Sequence, residues 1–266
     1  MRPRAARGFR SNVTRGRTDD GFRRLAASYD RLRPVDRNWL ELLDLLVSEG
    51  DLIGRRVLDV GCGTGRVAAA LAERGARVWG VEPSPEMLAA ARASLRGKGL
   101  PLRQARAEAL PFRQGSFERA VMRLVVHVVD RDRAFLEIAR VLDADGRLVL
   151  ATFRREHFDR LWLAPYFPSL RALDEARFAG TALLTGELRA AGFESVRVRP
   201  VDQHVVTGRA EALERIRGRF ISTLHLVSEE EFRDGLARAE RELPERLEYD
   251  LAWAILTADR PRVRVV

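Results

Sequence analysis

The run Val57-Leu-Asp-Val-Gly-Cys-Gly-Thr-Gly65 sets an acid, Asp59, just ahead of three alternating glycines, Gly61, Gly63 and Gly65. Backbone without side chains presents bare N–H groups, and glycine tolerates the left-handed turn that a strand-to-helix reversal needs. A second acid, Glu82, closes the apolar run Arg77-Val-Trp-Gly-Val81. It stands roughly twenty residues beyond the glycines, where a carboxylate with two acceptor oxygens holds ribose hydroxyls in nucleotide-binding βαβ units. The chemistry on offer is capture of a ligand that carries a nucleoside. The plain alternatives are a tight turn that binds nothing and a surface charge at a strand end.

These residues need a strand before them and a helix after. Val57–Val60 reads as a buried parallel strand, and the Ala-rich run from Arg66 to Arg74 as a helix. Strand and helix patterns then alternate through Arg77–Val81, Pro85–Arg96, Pro101–Arg106, Arg119–Val125, Arg131–Leu142 and Arg147–Phe153. That alternation predicts an α/β fold, a parallel sheet with helices on both faces. Helical patterns at Phe22–Arg33 and Asn38–Val47 precede it. After Phe153 the segment Arg154–Gly180 is aromatic without a clean period. A helix at Leu183–Ala191, a strand at Ser195–Val206, a helical insertion at Ala210–Arg246 and a strand at Glu248–Thr257 follow. Residues 1–19 read as a basic, disordered tail, and 20–266 as one domain. Within it, 20–50 is an N-terminal helical lid, 51–153 the cofactor-binding half, and 154–182 and 207–246 the acceptor-side insertions.

The dinucleotide fingerprint is G-x-G-x-x-G. Here the third glycine comes one position early and Arg66 takes its place. Asp59-Val-Gly-Cys-Gly-Thr-Gly65 instead resembles motif I of the class I S-adenosylmethionine-dependent methyltransferases. Glu82-Pro-Ser-Pro-Glu-Met-Leu88, Ala107-Glu-Ala-Leu-Pro-Phe112, Gly115-Ser-Phe-Glu118 and Glu137-Ile-Ala-Arg-Val-Leu142 before Gly146 resemble the type 11, ubiquinone/menaquinone-methylase-like group. The resemblance covers Phe22 to Phe153. It implies a Rossmann-like, seven-stranded, mostly parallel sheet whose last strand, Glu248–Thr257, is antiparallel.

It also implies a cofactor, S-adenosylmethionine, leaving as S-adenosylhomocysteine, with no metal. Asp59 would approach its ammonium, Glu82 and Pro83 its ribose, Met87 its adenine face, and Ala107 and Glu108 its adenine edge. Side chains at Gly61 and Gly63 would collide with it. Tyr29 and Arg33 resemble the lid segment that meets the carboxylate end, and Arg123 and Leu124, within the fourth strand, are further candidates to bind the cofactor. Arg106 departs from the pattern, because relatives carry Asp or Asn there and a guanidinium cannot accept from an adenine amino group. Met87 as ordinary core and the Tyr29 helix as mere packing are the alternatives.

Methyl transfer from a sulfonium is an in-line displacement in which alignment and a dry pocket supply much of the acceleration. A base is needed only when the acceptor must lose a proton. His127 is the candidate, with a helix-start packing role as its alternative; His157, His204 and His225 lie in the variable region. No Asn/Asp-Pro-Pro-aromatic run follows the fourth strand, which disfavours exocyclic amines of nucleic acid. The single cysteine, Cys62, lies inside the glycine loop, which argues against a thiol nucleophile and excludes an intrachain disulfide.

Composition, 46% hydrophobic and 32% charged, is that of a globular protein, and the single cysteine suggests a cytoplasmic location. The net charge of +9 points first to nucleic acid, but six arginines before Asp19 supply most of it and leave +3. A small-molecule acceptor, apolar or aromatic, is the favoured partner. The aromatics Trp162, Tyr166, Phe167, Phe178 and Phe220 are expected to wall its pocket. A nucleic-acid or protein methyltransferase docking through the tail, a catalytically weak or inactive cofactor-binding protein, and an NAD-dependent oxidoreductase stay open.

Overall fold

The computed structural model describes Ala26 and residues 28–261. The expectations for residues 1–19 and for Phe22 lie outside that range. Seven strands form one sheet: β1 (Arg56–Val60), β2 (Arg77–Glu82), β3 (Leu102–Gln104), β4 (Phe117–Arg123), β5 (Leu142–Phe153), β6 (Glu194–Gly208) and β7 (Arg246–Asp259). Their order is β3-β2-β1-β4-β5-β7-β6. Strands β1 to β5 are parallel, and β7 runs antiparallel to both β5 and β6. The expected mostly parallel sheet with an antiparallel last strand is therefore what the chain forms.

Because β1 lies between β2 and β4, the winding direction reverses there. Ligands in such sheets sit beyond the carboxyl ends of the strands at that reversal. The glycine loop after β1 and the turn after β4 therefore face each other across a crevice.

Helices α1 (Tyr29–Leu32), α2 (Arg37–Gly50), α3 (Arg66–Glu73), α4 (Pro85–Ser94) and α5 (Arg131–Val141) belong to the first half. Asp36 caps α2 by accepting from the Trp39 N–H at 2.8 Å, and Ser84 caps α4 ahead of Pro85. In β1, Val57 packs with Leu42, Leu46 and Leu71 on one face, and Leu58 with Phe135 and Ile138 on the other. Both faces being covered explains the unbroken apolar run of this strand.

The second half adds α6 (Arg155–Asp159), α7 (Leu170–Arg177), α8 (Thr181–Ala190), α9 (Arg209–Arg217), a 3-10 turn (Ser222–His225) and α10 (Glu229–Glu242). The insertion between β6 and β7 is not continuous helix: α10 stops at Glu242 because Pro244 follows, and Arg246 already pairs with Gly208. The cap formed by α7, α9, the turn and α10 has its own core around Leu163, Phe167, Leu170, Ile216 and Phe232. Leu32 is 2% exposed, and its methyls lie where a Cβ at Gly218 would fall, so the segment of α1 and this cap are packed together. Among the described residues no helix is long and apolar enough to cross a membrane.

Candidate active site

The crevice holds two adjoining cavities of similar size, about 190 and 220 Å³, so the site is built as two compartments. Tyr29, Arg123 and Leu124 line both. Gly61, Gly63, Glu82, Pro83, Met87, Arg106, Ala107 and Glu108 belong to the first. Within it, Glu82 is 8% exposed and accepts from the Gly63 N–H through Oε2 and from the Ser84 N–H through Oε1, each at 3.0 Å. This carboxylate fixes the loop, and carboxylate oxygens are suited to accept from hydroxyls. Asp59 is buried with its Oδ2 unpartnered. Burial, then the charge of Glu82, push its carboxyl up to about 7. A cation seated beside it would reverse that shift.

The glycines divide in role. Gly63 has φ +56°, and a Cβ there would meet nothing within 4 Å, which leaves open cavity in front of its backbone. Gly61 lines the cavity, yet its missing Cβ would strike Val125 at 2.6 Å; the constraint there is protein packing. Gly65 lines neither cavity and faces Leu95 of the α4 terminus. Met87 is 2% exposed at the wall, so core and lining roles coincide. Arg106 keeps half its side chain exposed, and its guanidinium reaches Glu108 at 3.5 Å.

The segment of α1 is strapped across the loop. Thr64 donates to Asp30 at 2.7 Å, Arg66 Nε pairs with the same oxygen at 3.1 Å, and Arg66 also donates to the Arg33 carbonyl. Arg66 thus uses the position of the missing glycine to hold the lid. The Arg33 guanidinium lies 4.2 Å from the Tyr29 ring centroid. Leu124 adopts φ +56°, a costly conformation for a bulky residue, and turns the chain out of β4 two residues earlier than the pattern predicts.

The second cavity lies between the sheet end, α1 and the cap. Trp162, Phe178 and Phe220 line it as expected, whereas Tyr166 and Phe167 do not: both are buried in the cap core. Leu161, Trp162 and Leu163 line the cavity before the chain turns into the cap core at Tyr166 and Phe167, and sequence without a clean repeat does not mark that change. Further walls come from Phe153, Tyr249 and Trp253, which the alternation of the last strand did not single out.

Titratable groups collect here. His127 stacks on Phe178 at 4.1 Å with its Nδ1 unpartnered. Burial, and the nearby Arg177 and Arg33, hold its pKa well below the ordinary value, so it is a neutral imidazole at neutral pH. His157 stacks on Phe153 at 3.8 Å, and burial brings it down to about 4. His204 is instead an exposed partner of Asp250, and His225 contacts the Arg219 carbonyl; neither lines the cavity. Asp174, which no motif marks, does line it; burial raises it to about 6, and Thr223 donates to it. Only tertiary packing distinguishes it from any acid spaced three before an arginine on a helix.

Arg123 stands at the junction. Its guanidinium lies 5.9 Å from the Trp39 ring and 5.7 Å from that of Trp253, and no carboxylate among the described residues pairs with it. Burial brings its pKa down to about 10.

Comparison with known proteins gives this arrangement a context. Residues 58–150 match a methyltransferase domain family. Over 203 residues the chain is 34% identical to a malonyl-[acyl-carrier protein] O-methyltransferase of Geobacter sulfurreducens, covering 72% of this chain and 75% of that one. It is 34% identical to a demethylmenaquinone methyltransferase of Tropheryma whipplei, over 62% of this chain and 72% of the relative. The match to methyltransferase GfsG of Streptomyces halstedii, 43% identical, spans only 37% of either chain. Among solved structures, a Haemonchus contortus phosphoethanolamine N-methyltransferase has a TM-score of 0.61 at 21% identity, covering 92% of this chain and 58% of that one. The [4+2]-cyclase SpnF has 0.57 at 24% identity, over 84% and 80%. At these identities the structural likeness concerns the fold alone.

Proposed function

The chain belongs to the S-adenosylmethionine-dependent methyltransferases, and from that premise we propose that it methylates a small molecule by direct in-line transfer. One observation carries this reading: a glycine-and-acid compartment opens directly onto an aromatic one, with Tyr29, Arg123 and Leu124 in common. The first compartment fits the cofactor. Glu82 brings carboxylate oxygens suited to ribose hydroxyls, Asp59 with its unpartnered Oδ2 lies buried at the end of β1 just before the glycine loop, and the open face of Gly63 admits a ligand against backbone. Arg33, stacked on Tyr29, lines the second compartment, and Arg123 is the guanidinium that borders both. When bound, S-adenosylmethionine supplies an electrophilic methyl on a sulfonium.

The chain's own part is to align, to exclude water and to offer a proton acceptor. Alignment comes from the strapped α1 segment, and dryness from the cap resting on Leu32. No group of three or more His, Cys, Asp or Glu suited to a metal occurs among the described residues. His127 and Asp174 both line the acceptor side. Asp174, raised by burial to about 6, titrates near neutral pH, whereas burial holds His127 in its neutral form. Walls of Trp162, Phe178 and Phe220 suit an apolar or aromatic acceptor.

The departure at Arg106 and the suppressed basicity of His127 favour one second reading: a protein that holds the cofactor without transferring methyl. Calorimetry with S-adenosylhomocysteine and NAD, followed by a turnover assay over a panel of small aromatic acceptors, tests both. Binding of S-adenosylhomocysteine with methylated product is expected. Comparable or tighter NAD binding overturns the cofactor assignment, and tight cofactor binding with no product from any acceptor favours the second reading.

A further inference from the structure

The acceptor cavity contains four guanidiniums, and they are not equivalent. Arg66 is paired with Asp30 at 3.1 Å, and Arg215 with Glu211 at 2.6 Å. Arg33 and Arg123 have no carboxylate partner among the described residues. Two acids share the cavity. Asp36 spends one oxygen on the Trp39 N–H, and Asp174 accepts from Thr223 beside Arg177. Neither neutralises Arg123. The Trp39 and Trp253 rings lie within cation–π range of its guanidinium, which stands where the two compartments meet. Walls that are otherwise aromatic lie on the acceptor side of that fork.

We infer that the acceptor is an amphiphilic acid: a flat apolar body between Trp162, Phe178 and Phe220, and one anionic oxygen group seated on Arg123 at the donor boundary. This rests on the methyltransferase reading above and deepens it. The anionic group is a carboxylate or an ionised phenol or enol, since each offers oxygen acceptors to a guanidinium fork. Arg123, the last residue of β4, then serves the acceptor, in contrast to the cofactor-side role expected of it, and Arg33 remains stacked on Tyr29. An acceptor that carries its charge at the boundary also needs little from a base there, which accords with the suppressed basicity of His127.

The test uses 2-naphthoate and its neutral counterpart 2-naphthamide as probes on protein loaded with S-adenosylhomocysteine, read by tryptophan quenching. Naphthoate is expected to bind at least tenfold tighter. Arg123→Met is expected to erase that preference while the Kd for S-adenosylhomocysteine stays within threefold, and Arg123→Lys to keep part of it. Equal binding of the two probes by wild-type protein, no binding of either, or a preference that survives in Arg123→Met overturns the inference. A tenfold loss of S-adenosylhomocysteine affinity in Arg123→Met with the preference intact reassigns the residue to the cofactor. If wild-type protein binds no S-adenosylhomocysteine, the cofactor assignment falls instead, and the naphthoate preference on ligand-free protein still decides the acid site. Should Arg123→Met fail to fold, Arg123→Lys carries the decision: an undiminished preference there removes the requirement for a fork.

Discussion

Replacing Glu82 separates its two duties. Its oxygens accept the Gly63 and Ser84 N–H groups, one each, at 3.0 Å. Glu82→Gln keeps the volume but turns one acceptor into a donor, so one of these N–H groups faces an NH2. An unsatisfied group of this kind costs about 1–3 kcal/mol, and the cavity's access to water favours the lower end. The thermal midpoint should therefore fall by roughly 2–6 °C for a chain of this size. The cofactor loses charge-assisted bonds to its hydroxyls, about 1.5–3 kcal/mol, so its Kd should rise roughly 10- to 150-fold. A third effect has a definite sign. Glu82 is the second-largest cause of the raised Asp59 carboxyl, so neutralising it lets Asp59 ionise at lower pH. Calorimetry of S-adenosylhomocysteine at pH 6, 7 and 8, beside thermal unfolding at each, reads all three. An unchanged Kd with a lowered midpoint would refute the ribose role and leave Glu82 as a loop brace. An unchanged midpoint would refute the brace.

Other outcomes follow from the same geometry. With its carboxyl raised from 3.8 to about 7, Asp59 contributes stability that is full below the unfolded value and is lost as pH rises through about 7; Asp59→Asn should flatten that slope in urea unfolding curves between pH 5 and 8. If an ammonium is its partner, S-adenosylmethionine affinity should rise with pH up to about 7 in wild-type protein and lose that dependence in Asp59→Asn, so a parallel dependence in the variant excludes the contact. Gly63→Val places a branched side chain at φ +56° and into open cavity, and should abolish cofactor binding with only a modest fall in the thermal midpoint; retained binding would show that ligand does not approach this backbone. Trp162→Ala and Phe220→Ala should raise the acceptor KM while cofactor Kd stays within about threefold, whereas Phe167→Ala, in the cap core, should lower stability by about 3–5 kcal/mol. Weakened cofactor with unchanged acceptor kinetics would move the acceptor elsewhere.

Local spacing settled the donor half before any coordinates. Asp59, the alternating glycines and Glu82 sit on one continuous βαβ unit, where twenty-odd residues of strand, turn and helix leave few ways to arrange them. Period-two and period-3.6 patterns likewise gave the strand and helix alternation, because burial on both faces leaves a strong apolar signature. Within that half, the sequence did not say what each glycine was for: Gly61 answers to Val125 and Gly65 to Leu95, residues 64 and 30 positions away. The acceptor half was legible only as aromatic content. Trp162 faces the cavity and Phe167 the cap core, five residues apart on an irregular loop, and that choice is made by α10 packing onto Phe167 through Gly235. Asp174 carried no signal either, and Arg123 was marked only for the cofactor side. An acid on a helix and an arginine at a strand end are ordinary in sequence, and they acquire their perturbed ionisation only through burial among segments far apart along the chain. Chain-local geometry fixed the glycine-and-acid compartment, while the shape and charge of the aromatic cavity were decided by contacts between segments that only folding brings together.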